Sequence, residues 1–105
     1  MPVTLTWYSH ACFLIETGDS KLLTDPFLTG NPLAPITADA VEADYIFVSH
    51  GHGDHVGDTV SVAKRTGATV VSNFEIQNWL AGQGVDQTHP QHIGGGFNYP
   101  WGRVK

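Results

Sequence analysis

The sequence predicts a single α/β unit, and three observations carry that expectation. Short strand-like runs recur along the 105 residues. Two stretches with helical periodicity separate the later runs, and no repeat, low-complexity segment or flexible linker divides them. Such alternation builds a sheet with helices laid against it.

The elements can be justified in order. Residues 3–8 alternate in side-chain character and predict a strand. Residues 12–16 predict a second, and Gly18-Asp19 supplies the turn into a third at 21–24. The Pro-rich stretch 26–35 predicts a loop long enough to be functional. Residues 45–49 are continuously apolar and predict a central strand. A helix is expected over 58–65, with Val60, Val62 and Ala63 on one face and Gly67 as its stop. Asp58 is its candidate N-cap, or Asp54 if the helix begins earlier. A strand at 68–72 follows, then a helix at 74–81 with Asn73 as cap and Ile76, Trp79 and Leu80 facing inward. Three glycines at 94–96 break the chain, and 97–105 reads as a turn entering a strand.

Composition limits the function classes. The formal charge is −5, from five Lys+Arg against ten Asp+Glu. No basic stripe is present to neutralise a phosphate backbone, which argues against nucleic acid as a partner. A single cysteine excludes an internal disulfide framework and fits a reducing compartment, so a cytoplasmic location is expected. Cys12 lies in an apolar run and reads as a small core residue. The first residues do not resemble a signal peptide, and no stretch nears the roughly twenty apolar residues that span a bilayer.

The most informative segment is His50-Gly51-His52-Gly53-Asp54-His55, directly after the expected central strand. Three of the six histidines fall in it. Imidazole and carboxylate are the ligands that zinc and similar divalent metals prefer. Two glycines let the backbone turn tightly. His50 and His52, two apart, project to one side of an extended segment. Asp54 and His55 diverge from each other and suit a second ligand cluster beside the first. A buried strand feeding four ligand-type residues has little structural use otherwise, so the expectation is a catalytic metal site.

The motif after a hydrophobic strand resembles the signature of the metallo-β-lactamase superfamily. The blocks Trp7-Tyr8-Ser9-His10-Ala11-Cys12-Phe13-Leu14-Ile15-Glu16 and Leu23-Thr24-Asp25-Pro26-Phe27-Leu28-Thr29-Gly30-Asn31-Pro32 are similar to the small metal-dependent hydrolases related to ascorbate-6-phosphate lactonase. The likeness runs over essentially the whole chain.

The resemblance implies the N-terminal half of an αββα sandwich, with helices outside two packed sheets. It implies a two-metal site in which His50 and His52 serve the first ion and Asp54 and His55 the second. Zinc is the expected metal, with manganese, iron or nickel as alternatives. It implies hydrolysis of an ester, lactone or phosphoester-type small molecule by metal-activated hydroxide, with Asp54 as ligand and catalytic residue. Asp25 is expected to hold a motif histidine, and His10 to lie at the rim in a supporting or substrate-binding role. The contexts of His89 and His92 do not match a ligand segment. The sandwich typically needs about twice this length, so residues 1–105 are expected to be a partial domain whose inner sheet face lies bare. The implied partner is the complementary half of the fold. A homodimer is the alternative, and a nucleic-acid-processing role comes after it.

Overall fold

The computed structural model describes residues 2–105. It holds a six-stranded mixed sheet in the order β1-β2-β3-β4-β5-β6, plus a two-stranded hairpin, β7-β8. The strands are β1 Val3–Trp7, β2 Phe13–Thr17, β3 Ser20–Thr24, β4 Tyr45–Phe47, β5 Thr69–Ser72, β6 Thr88–Pro90, β7 Phe97–Tyr99 and β8 Gly102–Val104. The helices are α1 Gly53–Val56, α2 Thr59–Thr66 and α3 Phe74–Gly82. The first two pairings, β1 with β2 and β2 with β3, are antiparallel. From β3 to β6 every pairing is parallel, because the chain crosses over first through the long loop between β3 and β4, then through α1 and α2, and then through α3.

Register decides what each face buries. Leu14, Leu23, Ile46 and Val70 are aligned across four strands on one face. That face packs with Val62 and Ala63 of α2 and with Ile76 and Leu80 of α3 into one core cluster. Leu23, Ile46, Val62, Val70 and Leu80 are fully buried, and each such side chain contributes about 1.5–3 kcal/mol relative to exposure. Cys12 joins this core, as its apolar context predicts.

The opposite face carries Leu5, Ile15, Leu22 and Tyr45 in register. Its central part is not bare, in contrast to the expectation. The β7-β8 hairpin folds back so that Tyr99 and Trp101 meet Tyr45 at 5.8 and 4.5 Å and Phe47 at 5.9 and 6.1 Å between ring centroids. The end formed by β1 and β2 stays open. Val3, Leu5 and Trp7 are 55–66% exposed and Phe13 is 39% exposed.

Several local expectations are corrected. The central strand stops at Phe47 rather than Ser49. Val48 still donates to the Val71 carbonyl at 3.0 Å, but the next amide turns away from the sheet towards a side chain. The short turn of helix α1 precedes α2 and ends at Gly57, where φ is 47°. A Cβ at Gly57 would lie 2.4 Å from the Pro26 carbonyl oxygen, so only glycine allows the two loops to meet. Asp58 does not cap α2 through its side chain. Its Oδ2 instead accepts from Leu28 N at 3.1 Å and Thr29 N at 2.8 Å, pinning the Pro-rich loop. Asn73 does cap α3, accepting from Ile76 N at 2.9 Å. Trp79 is 47% exposed rather than inward. The stripe formed by Ile76 and Leu80, four residues apart, faces the sheet, and Trp79 falls to its side. Strand β6 has no apolar alternation and was not expected. Pairing with β5 creates it, and Pro90, lacking an N–H, is tolerated at the sheet edge.

Candidate metal centre

The motif leaves the sheet at the C-terminal end of β4, where the strand ladder is interrupted by one buried carboxylate. Asp25 follows β3, is 4% exposed and has φ of 32°. Its own amide donates to the Phe47 carbonyl at 2.9 Å, which fixes it against β4. Oδ1 accepts the Ser49 amide at 2.7 Å. Oδ2 accepts the Ser49 hydroxyl at 2.5 Å and lies 2.8 Å from Nδ1 of His55. A carboxylate can only accept, so Nδ1 of His55 carries the proton and its Nε2 lone pair is free. Asp25 therefore sits behind His55 and sets which nitrogen points outward.

Helix α1 places the next two residues. The His55 and Val56 amides both donate to the His52 carbonyl, at 3.0 and 2.9 Å. This single turn brings Asp54 beside His55, with Oδ1 3.8 Å from His55 Nε2. Two ligands of one ion at about 2.0–2.2 Å each can span that separation. The donor chemistry and the free Nε2 thus fit a divalent metal. The other Asp54 oxygen, Oδ2, accepts from His10 Nε2 at 3.1 Å. Desolvation pushes the Asp54 carboxyl up, but the electrostatic attraction of the neighbouring His55 imidazole, a backbone hydrogen bond and His10 outweigh it and hold the group below the usual carboxylate range.

His10 reaches this point from the turn between β1 and β2. Ser9 and His10 adopt left-handed φ of 76° and 54°, a conformation that costs non-glycine residues about 1–2 kcal/mol each. The turn is held by Tyr8 N to Cys12 O at 2.8 Å and by Trp7 Nε1 to His10 O at 2.9 Å. The His10 ring lies 5.9 Å from Phe27 and 5.0 Å from His55 between centroids.

His50 packs against His55 at 4.0 Å and against His52 at 4.7 Å between ring centroids. Among the described residues, two sets of potential ligand atoms converge, His10–Asp54–His55 and Asp25–His50–His55. His52 stands next to His50 but belongs to neither set, and it is exposed. His89 lies elsewhere, its ring 4.3 Å from Phe97 and 5.7 Å from Tyr99, and His92 is exposed. A cleft of about 510 Å³ opens beside the motif on the inner face, with Asp25 and Ser49 on one wall and Val71, Gln91 and Ile93 among the others.

Ser49 was missed as a site residue in the sequence. The available signal was a hydroxyl directly before the first motif histidine, at the end of a strand. Gly57 was missed too, because its need for a missing Cβ comes from Pro26, thirty-one positions earlier.

Comparison with known proteins gives a consistent result. Residues 4–103 match the Beta-lactamase superfamily domain. A UPF0173 metal-dependent hydrolase of Heliobacterium modesticaldum is 54% identical over 101 residues, covering 96% of this chain and 42% of the relative. One from Carboxydothermus hydrogenoformans is 56% identical, with 96% and 44% covered. The structure of Igni18, a metallo hydrolase from the hyperthermophilic archaeon Ignicoccus hospitalis, superposes with a TM-score of 0.82 at 33% identity, over 91% of this chain and 42% of that one. The architecture is that of the N-terminal half of a metallo-β-lactamase-type fold. The chain spans about two-fifths of the length of these relatives.

Proposed function

This chain belongs to the beta-lactamase superfamily, and from that premise we propose that it carries the metal-binding motif of a metal-dependent hydrolase. The observation that supports this most is that two converging sets, His10–Asp54–His55 and Asp25–His50–His55, meet at His55, which Asp25 holds from behind. His50, His52, Asp54 and His55 are the proposed ligands, with zinc as the ion and manganese, iron or nickel as alternatives. A bound divalent ion supplies a hydroxide nucleophile at neutral pH and polarises the substrate oxygen. Within the chain, Asp25 keeps the His55 proton on Nδ1, and His10 holds Asp54 Oδ2 so that Oδ1 faces the ligand space. Asp54 also serves as the catalytic residue that orients the nucleophile and moves a proton to the leaving group.

The proposed substrate is a small ester, lactone or phosphoester, as in the branch related to ascorbate-6-phosphate lactonase. The cleft beside Asp25 and Ser49 offers room for one. The formal charge of −5 disfavours a nucleic-acid substrate. No helix among the described residues is long and apolar enough to cross a membrane. A cytoplasmic setting is proposed from the single free, buried cysteine.

We further propose that the open apolar face of β1 and β2 receives the complementary half of the same fold, which adds the remaining ligands. A second copy of this chain is the alternative occupant. Val3, Leu5, Trp7 and Phe13 support this reading, because a contiguous exposed apolar patch marks a contact surface. The test is to purify residues 1–105 and measure mass, zinc content and esterase and phosphodiesterase turnover, alone and with the remaining part of a relative. Turnover only in the mixture is expected. Full turnover by a monodisperse monomer of this chain would remove the partner, and absence of zinc uptake in both samples would remove the metal centre.

A further inference from the structure

The hydroxyl of Ser49 joins Asp25 to the first motif histidine. It lies 2.5 Å from Asp25 Oδ2 and 2.9 Å from His50 Nδ1. A serine hydroxyl has one proton to give and two lone pairs to accept with. Asp25 can only accept, so the one proton goes to Asp25. The contact with His50 must then run the other way, with His50 Nδ1–H donating to Ser49 Oγ. We infer that Ser49 is a positioning residue that fixes the tautomer of His50, placing its proton on Nδ1 and leaving the Nε2 lone pair free for a metal.

The same carboxylate thereby sets two imidazoles. It acts on His55 directly at 2.8 Å and on His50 through Ser49. The ring centroids of the two histidines are 4.0 Å apart, so both rings are set beside one another. Position 49 can do this because the β4 ladder ends before it. Its amide is taken by Asp25 Oδ1 at 2.7 Å, which locks the backbone and so aims the hydroxyl. Another hydrogen-bonding side chain would need the same short reach; threonine has it, whereas alanine and valine present no donor or acceptor. Ligating imidazoles commonly depend on a partner at the second nitrogen, and losing it weakens metal binding by about 10–100-fold.

The inference rests on the metal-centre reading for its use, but its test does not. In the ¹⁵N-labelled chain without metal, long-range proton–nitrogen correlations through the imidazoles report the tautomer of each of the six histidines. The wild-type chain is expected to show His50 as the Nδ1–H form. Ser49→Val should lose that preference while His55, still bonded to Asp25, keeps its own. Ser49→Thr should restore it. Zinc affinity, read by competition with a chromophoric chelator, should fall by about 10–100-fold in Ser49→Val and return in Ser49→Thr. Valine and threonine share a shape, so a difference between them reports the hydroxyl rather than packing, and a general collapse would disturb His55 as well. An Nε2–H form of His50 in the wild-type chain, or equal tautomer and affinity in the valine and threonine variants, would overturn the inference. A correct tautomer pattern in a wild-type chain that takes up no zinc would carry the Ser49 role and overturn the metal centre instead.

Discussion

Replacing Asp25 by asparagine changes one atom at the point where β3, β4 and α1 are tied together. Oδ1 faces the Ser49 amide at 2.7 Å, and an NH₂ there would set two donors against each other. The amide oxygen must therefore keep that place. The new nitrogen then occupies the position of Oδ2, 2.8 Å from His55 Nδ1 and 2.5 Å from the Ser49 hydroxyl. To accept its hydrogen bond, His55 must present a bare Nδ1 and move its proton to Nε2. That proton blocks the lone pair facing Asp54. Loss of a ligand's supporting partner lowers metal affinity by about 10–100-fold, which is about 1.4–2.8 kcal/mol at 1.4 kcal/mol per factor of ten. Charge-assisted bonds also become neutral ones, so the fold should lose about 1–3 kcal/mol. Zinc competition and the His55 imidazole nitrogen shifts measure the first effect, and urea unfolding measures the second. Wild-type zinc affinity in an Asp25→Asn chain whose His55 still carries its proton on Nδ1 would refute the reasoning.

Three other outcomes are expected. Gly57→Ala places a Cβ 2.4 Å from Pro26 O and 2.7 Å from Phe27 Cα at a φ of 47°, so urea unfolding should show a loss of about 2–4 kcal/mol; near-wild-type stability would mean the two loops can separate freely. Burial, and then the charges of Asp25 and Asp58, push the Cys12 thiol up from 9.0 to about 12. The folded chain holds that proton where the unfolded chain has released it, so stability should fall as pH rises from 9.0 towards about 12. Native Cys12 should also alkylate far more slowly at pH 8 than in urea, and equal rates would place the thiol outside the core. Leu5→Lys with Trp7→Lys puts charge on the open face of β1 and β2, where the two residues are 66% and 61% exposed. Sedimentation should show weaker self-association or weaker capture of the complementary half, with unchanged melting of the chain itself. A fall in melting temperature without a change in association would identify packing rather than docking.

Much of the architecture is local and could be read from residue order. Leu14, Leu23, Ile46 and Val70 form apolar runs whose pattern suits strands, and Asn73 is a helix cap by its chemistry. Where the sequence misled, the cause was a partner distant in the chain. Asp58 looks like a cap, but two amides of the Pro-rich loop claim its carboxylate. Trp79 has the spacing of an inward residue, but the sheet meets α3 along Ile76 and Leu80. Strand β6 exists because β5 offers it an open edge. The middle of the inner sheet face is covered because a hairpin some fifty residues after β4 brings Tyr99 and Trp101 back onto it.

The candidate site divides the same way. Sequence by itself determined the inventory of candidate ligands, since His50, His52, Asp54 and His55 fall within six residues and imidazole and carboxylate are metal-seeking groups. Tertiary structure alone decided which of their atoms are available. Strand pairing brings Asp25 from β3 under Ser49 and His55, and a strained turn carries His10 across to Asp54, forty-four positions away. A lone pair is free for a metal only when a hydrogen bond at the other nitrogen holds the proton there. That bond comes from a residue whose distance along the chain says nothing about its distance in space.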